Sequence, residues 1–234
     1  MPGNQSTAEA PSPEDEPAEQ GTAGPAPAES SPLAAVSRPV RTARLLLRPA
    51  TPDDLEATWA FRRLDAVVYW LTNGPRTLEE YRVVFEAPER LAKLIVVELD
   101  GAVIGEVMAS VEGGWAQAEV AEQARGTQAE LGWVFSPRYA GHGYATEAVR
   151  ELIRICFTDL GLRRVTASCF AGNEASWRLM ERVGMRREAY TVRDSLHRSG
   201  MWLDGMAYAL LADEWRGASS TEPDGSKPGQ RAPS

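Results

Sequence analysis

Only two of the 234 residues are lysine, Lys93 and Lys227, and neither follows a glycine-rich stretch. A P-loop needs a lysine directly after its last glycine to reach the phosphates, so that class of nucleotide site is excluded. Histidine and cysteine are equally scarce. His142 and His197 stand too far apart in sequence for a zinc spacing. Cys156 and Cys169 each sit among apolar neighbours, which reads as two small core residues in a reducing cytoplasm rather than a disulfide or metal pair. No metal is expected. No apolar run approaches the ~20 residues needed to span a bilayer. Met1-Pro-Gly-Asn-Gln-Ser has neither the cationic start nor the apolar centre of a secretory signal. These lacks predict a cytoplasmic protein with no membrane partner.

Basic residues are missing from one whole end. Residues 1–37 hold six acids (Glu9, Glu14, Asp15, Glu16, Glu19, Glu29) and no lysine or arginine, so they carry −6 of the net charge of −8. The rest has no basic run, which argues against a nucleic-acid partner. The predicted organisation is a disordered acidic Pro/Ala-rich tail over 1–40, one domain over 41–215, and a disordered Gly/Ser/Pro-rich tail over 216–234. Such tails bury too little apolar surface to offset their ordering entropy.

Within the domain the pattern alternates between strand and helix. Leu45–Leu47 predicts a strand, and Thr51-Pro-Asp-Asp54 a helix start with proline and acids in its first turn. Asn73-Gly-Pro75 is a turn, and Thr77-Leu-Glu-Glu80 has the form of a capping box. Leu94–Leu99, Asp100-Gly101 and Val103–Met108 predict a hairpin on a type I′ turn. A long polar link over 112–128 follows. Glu130–Phe135 reads as a buried strand closed by Pro137, and Tyr144–Phe157 as a helix. Leu162–Phe170 is a strand, Trp177–Val183 a helix ending at Gly184, and Tyr208–Trp215 the closing strand. The order fits one mixed α/β sheet.

Between the strand ending at Phe135 and the helix from Tyr144 lies Arg138-Tyr-Ala-Gly141-His142-Gly143. A strand that turns through glycines into a helix leaves first-turn N–H groups unpaired at the positive end of the helix dipole, a site for phosphate oxygens. Gly141 and Gly143 allow close backbone approach, and Arg138 can add a charged fork. A dinucleotide fingerprint fits poorly, because Ser136 to Ala140 separate the strand from the first glycine and Thr146 holds the third glycine's place.

Arg-x-x-Gly-x-Gly resembles the pyrophosphate loop of the GNAT superfamily of acetyl-coenzyme A dependent N-acetyltransferases. A second patch is similar too: the next strand is followed by Asn173-Glu-Ala-Ser176 and a helix ending in Gly184-Met185. The opening Arg41–Pro49 with Asp53-Asp54, and the closing Tyr208–Trp215, look like the ends of the Rim-type (ribosomal-protein-alanine) branch. The resemblance covers about residues 41–215, in order. It implies a GNAT fold, a single mixed, mostly antiparallel sheet flanked by helices, in which the cradle strand and the next diverge to admit the pantetheine. It also implies acetyl-CoA as acyl donor, an amine acceptor as the other partner, direct transfer without an acetyl-enzyme, and a monomer or homodimer.

The residues then take expected roles. Coenzyme contacts fall on Val134, Phe135, Arg138, Gly141, His142, Gly143, Tyr144, Ala145, Asn173 and Ser176, with backbone N–H near Val134 and Phe135 for the oxyanion. His142 is expected to be a solvent-facing spacer in the loop. Asn173 is matched to the pantetheine arm and Ser176 to the coenzyme sulfur, either of which could equally cap its helix. Glu130 is the first candidate for general base, on the face of Gly132 and Val134. Asp194 is the second; it stands within a residue or two of a catalytic Glu of the Rim-type branch. His197 and Tyr190 are weaker candidates, and Trp115, in the long link, is the aromatic expected to touch substrate. The alternative function is a coenzyme A-binding sensor without turnover, distinguished by the lack of a base that reaches the sulfur.

Overall fold

The computed structural model describes residues 39–219, with side chains to residue 217. The elements run β1 (Val40–Arg41), β2 (Leu46–Pro49), α1 (Leu55–Arg62), α2 (Asp65–Val68), α3 (Leu78–Phe85), α4 (Pro88–Leu91), β3 (Leu94–Leu99) and β4 (Ala102–Glu112). Then come α5 (Ala121–Ala124), β5 (Gln128–Phe135), α6 (Tyr144–Arg154), β6 (Arg164–Phe170), α7 (Glu174–Arg182), β7 (Arg186–Leu196), β8 (Trp202–Leu211) and α8 (Ala212–Ser219). The strands form one sheet in the order β1-β2-β3-β4-β5-β6-β8-β7. Every neighbouring pair is antiparallel except β5 with β6.

Local chemistry explains most of the framework. Asp100 and Gly101 both take positive φ, 49° and 81°, as the type I′ turn between β3 and β4 requires. Thr77 accepts the N–H of Glu80 at 3.1 Å, one half of the expected capping box. The other half is displaced by one residue, because Glu80 accepts from the N–H of Arg76 instead. α6 buries Ala148, Val149, Leu152 and Ile153, one stripe of a 3.6-residue period, against Ala129 and Leu131 of β5. α1 and α3 cover the opposite face, where Leu55, Tyr81 and Phe85 pack with Leu94 and Val96. Leu152, Tyr81 and Phe85 are fully buried, and each such side chain contributes roughly 1.5–3 kcal/mol of transfer free energy.

Three sequence expectations shift. Val40 and Arg41 pair with Leu47 and Leu46, so β1 starts one residue before the expected domain boundary at 41. Tyr208–Trp215 is not all strand: β8 ends at Leu211 and α8 runs through to Ser219, into the predicted tail. There Glu214 accepts the N–H of Leu211 at 2.9 Å and turns the chain into a helix. The polar link over 112–128 contains a short helix, α5, and closes on itself through Gly114 N–H bonded to Ala124 O at 2.9 Å. Of the expected tails over 1–40 and 216–234, residues 1–38 and 220–234 lie outside the described residues.

Candidate active site

β5 and β6 pair over only three residues, Gln128–Glu130 with Arg164–Thr166. Beyond them β6 turns to β8 and β5 stays with β4, and the two strands part. Backbone groups of β5 on the parted side have lost their ladder partners. Which groups these are follows from one bond. Ser136 donates its N–H to Ile104 O at 2.9 Å, so alternation turns Val134 N–H toward β4 and leaves Trp133 and Phe135 N–H facing the gap. The sequence expectation placed this role near Val134 and Phe135. Of these two, Phe135 N–H faces the gap, as Trp133 N–H does, whereas Val134 N–H faces β4 and Val134 is among the lining residues.

The glycine loop closes the wide end of this gap. Gly141 and Gly143 sit at φ 82° and 79°, and Gly143 is the residue that caps α6. A Cβ on Gly141 would meet nothing within 4 Å, and one on Gly143 only an Arg44 nitrogen at 3.6 Å. The loop is therefore held open toward the cleft by backbone conformation, and a side chain would fill that space. Arg44 fixes its outer edge. Its NH1 donates to His142 O at 2.9 Å, its Nε to Glu147 at 2.7 Å, and its guanidinium lies 4.6 Å from the Tyr144 ring centre. Ala140, Gly141, Gly143, Tyr144 and Ala145 line the cleft. Arg138 and His142 are exposed on the loop and are not among the lining residues, whereas Arg150 and Arg182 are.

Across the gap, Asn173 caps α7 by accepting Ser176 N–H on its side chain at 3.3 Å. The capping and cleft-lining positions thus coincide, because α7 starts where β6 leaves the gap. Ser176 stands beside Cys169: its side chain hydrogen-bonds the thiol and partly offsets burial, which pushes Cys169 up. Cys156 is buried and pushed up to about 12, so it is an inert core residue, as expected.

The carboxylate candidates separate cleanly. Glu130 lies at the apex where the strands part, exposed, on the α1/α3 face with Gly132 and Val134. Asp194 lines the same cleft from β7, at an irregularity where Arg193 takes φ 52°. Hydrogen bonds from Thr191 and Ser195 hold its carboxyl below the usual range. His197, a weaker candidate, is buried and has both ring nitrogens engaged. It is 3% exposed, accepts Ser199 N–H on Nδ1, and so presents Nε2–H to Tyr69 O at 2.8 Å. It clasps the β7–β8 hairpin to the end of α2. Tyr190 donates to Asp204 at 2.5 Å, which raises its phenol, and it lies outside the cleft lining. Trp115 is 95% exposed and also outside, so its expected substrate contact is not supported.

A family model described as the acetyltransferase (GNAT) domain matches residues 44–186. This chain belongs to that family. The solved structure of a GNAT-family acetyltransferase from Bacillus anthracis superposes with a TM-score of 0.63 at 29% identity, over 75% of this chain and 99% of that one. Mycobacterium smegmatis RimJ, solved in complex with CoA-disulfide, shares the fold at a TM-score of 0.58 and 22% identity, over 75% of this chain and 89% of that one. The N-acetyltransferase YnaD of Bacillus subtilis is 38% identical over 86 residues, which are 37% of this chain and 50% of YnaD. This chain thus spans about half the length of the curated relatives it matches. Among the described residues no helix is long and apolar enough to cross a membrane, and no cluster has the make-up of a metal site.

The GNAT frame contains one group that the motifs did not reveal. Glu106 on β4 is 2% exposed and takes both Nε (2.7 Å) and NH2 of Arg62 on Oε1, together with Arg90 NH2 at 2.9 Å. It stands opposite Val134 in the ladder, on the Glu130 face, and all three residues line the cleft. A signal was present: Glu106 interrupts the apolar run Val103–Met108 of a buried strand. Its partners on α1 and α4 could not be read from sequence.

Proposed function

We propose that this protein transfers an acetyl group from acetyl-coenzyme A directly to a primary amine. The observation that carries the proposal is the parting of β5 and β6 beyond Glu130 and Thr166, with its wide end closed by the Gly141–Gly143 loop. The residues present fit the coenzyme, since the loop leaves room where a Cβ would stand and offers unpaired N–H groups at the start of α6. When bound, the coenzyme supplies the acyl group as a thioester.

The chain's own groups then divide the work. The N–H groups of residues 141–144 hold the diphosphate, those of Tyr139 and Ala140 being taken by Ser136 O and Pro137 O, with Tyr144 and Ala145 at the first turn of α6. Asn173 faces the pantetheine arm. Trp133 and Phe135 direct N–H groups into the gap, where they stabilise the carbonyl oxygen as it gains charge. Glu130 accepts the proton of the amine, and Ser176 returns one to the departing sulfur. RimJ, which shares this fold, was solved with a coenzyme A derivative, and that supports the ligand class. Thiol release from acetyl-CoA across an amine panel, including peptides with N-terminal Ala and Ser, tests the function. Tight acetyl-CoA binding with no amine-dependent release would replace it by a sensing role.

A further inference from the structure

The Arg62–Glu106–Arg90 group carries two cations on one carboxylate, and both cations converge on a single oxygen. The other oxygen, Glu106 Oε2, and the Nε of Arg90 are buried without a hydrogen-bond partner among the described residues. Those two orphans are one donor and one acceptor, but two guanidinium groups against one carboxylate leave a sheltered surplus of positive charge, which is costly unless a counter-group meets it. The two arginines tie α1 and α4 to β4, and they also leave that surplus in the lining of the cleft.

The group lies on the acceptor side of the sheet. Glu106 is opposite Val134, and Glu130 lies on the same face of β5 four residues away, roughly 13 Å along the strand. Along this face Glu130 stands at one end and the surplus guanidinium of Arg62 and Arg90 at the other. Guanidinium forks match carboxylate geometry and are weakly hydrated, so they suit this role in a sheltered site. A polyamine would place positive charge against the surplus.

We infer that the acceptor carries a carboxylate several bonds from its amine, and that Arg62 and Arg90, held in place by Glu106, receive it. This rests on the proposed acetyl transfer. Glu106 is a positioning residue, and the two arginines are specificity residues.

The test compares matched acceptors with the full-length protein. ω-Amino acids are set against their primary amides, and peptides with Asp at the second position against the same peptides with Asn. The two arms distinguish a free small molecule from an acidic N-terminal segment. kcat/KM should favour the acid of a pair at least tenfold, chiefly through KM, and polyamines should be poor. Arg90→Gln should collapse the acid-to-amide ratio toward one, with acetyl-CoA affinity as the check on folding. A ratio near one in the unsubstituted protein, or a preference for polyamines, overturns the inference and leaves acetyl transfer standing. Binding gives a readout independent of turnover: the N-acetylated acid should bind the CoA-loaded protein at least tenfold more tightly than its amide. Equal binding overturns the inference even where no amine reacts, and failure of every amine alone counts against acetyl transfer instead.

Discussion

The two halves of the cleft are built in opposite ways. The half proposed for the coenzyme is largely backbone: the N–H groups facing the gap, two glycines at positive φ and the start of α6, within residues 133–145 of one continuous stretch. The half proposed for the acceptor is side chain: Arg62, Arg90, Glu106, Glu130 and Asp194, drawn from two helices and three strands. A phosphate is the same in every coenzyme molecule, so a local backbone motif can serve it. An acceptor is recognised by the placement of charges, which only the assembled sheet and helices supply. The first half therefore tolerates little change in conformation, and the second little change in chemistry.

Chemical substitution at Glu130 should produce the largest effect. Glu130→Gln is expected to lower kcat/KM by about 10²–10⁴ while coenzyme binding is kept, because the residue lies on the acceptor face. The loss should shrink at high pH, where more amine arrives neutral. Asp194→Asn should cost less than about tenfold, since its carboxyl is already held low by Thr191 and Ser195. Reversed effects in these two variants would move the base to the β7–β8 side.

A conformational substitution probes the other half. Gly143→Val should weaken coenzyme A binding about 100-fold, or roughly 2.7 kcal/mol by calorimetry, through a Cβ in the cradle and a branched residue at positive φ. Unchanged affinity in a folded variant would mean that the diphosphate does not sit there.

Stability should respond to pH more gently. Burial acts to raise both Asp54 and Glu147, but hydrogen bonds from Arg48 and Thr51 to the first, and from Thr42 and Arg44 to the second, hold them below their ordinary values. For a depressed carboxyl, the stabilisation is present above the unfolded pKa, here 3.8 and 4.5, and is lost as pH falls through the folded value. The melting temperature should be flat above about pH 5 and fall on the order of 5 °C by about pH 3. A decline beginning near neutrality would point to another group.

The smallest expected effect is at the amino terminus. A chain beginning at Ser37 should keep its melting temperature and stay within about twofold in kcat/KM, because residues 1–36 bring no cation to either half of the cleft. A tenfold drop would give the acidic segment a part in the acceptor half.

Sequence by itself determined what depends on neighbours along the chain. The β3–β4 turn followed from Asp100-Gly101, the stripe of α6 from its apolar period, and the glycine loop from two residues able to adopt positive φ. The family resemblance rested on these same local patterns and on Asn173 and Ser176 at the start of α7. Sequence misjudged β8, where a carboxylate three residues away converts strand to helix, and His197, whose burial depends on Tyr69 in a distant element. Tertiary structure alone decided which N–H groups face the gap, because that depends on the β4–β5 register. It also decided that Glu106 gathers Arg62 and Arg90, which lie 44 and 16 residues away in the chain. Backbone conformation is set by adjacent residues and can be read from them, whereas a field made by convergent charges exists only once the helices have docked on the sheet.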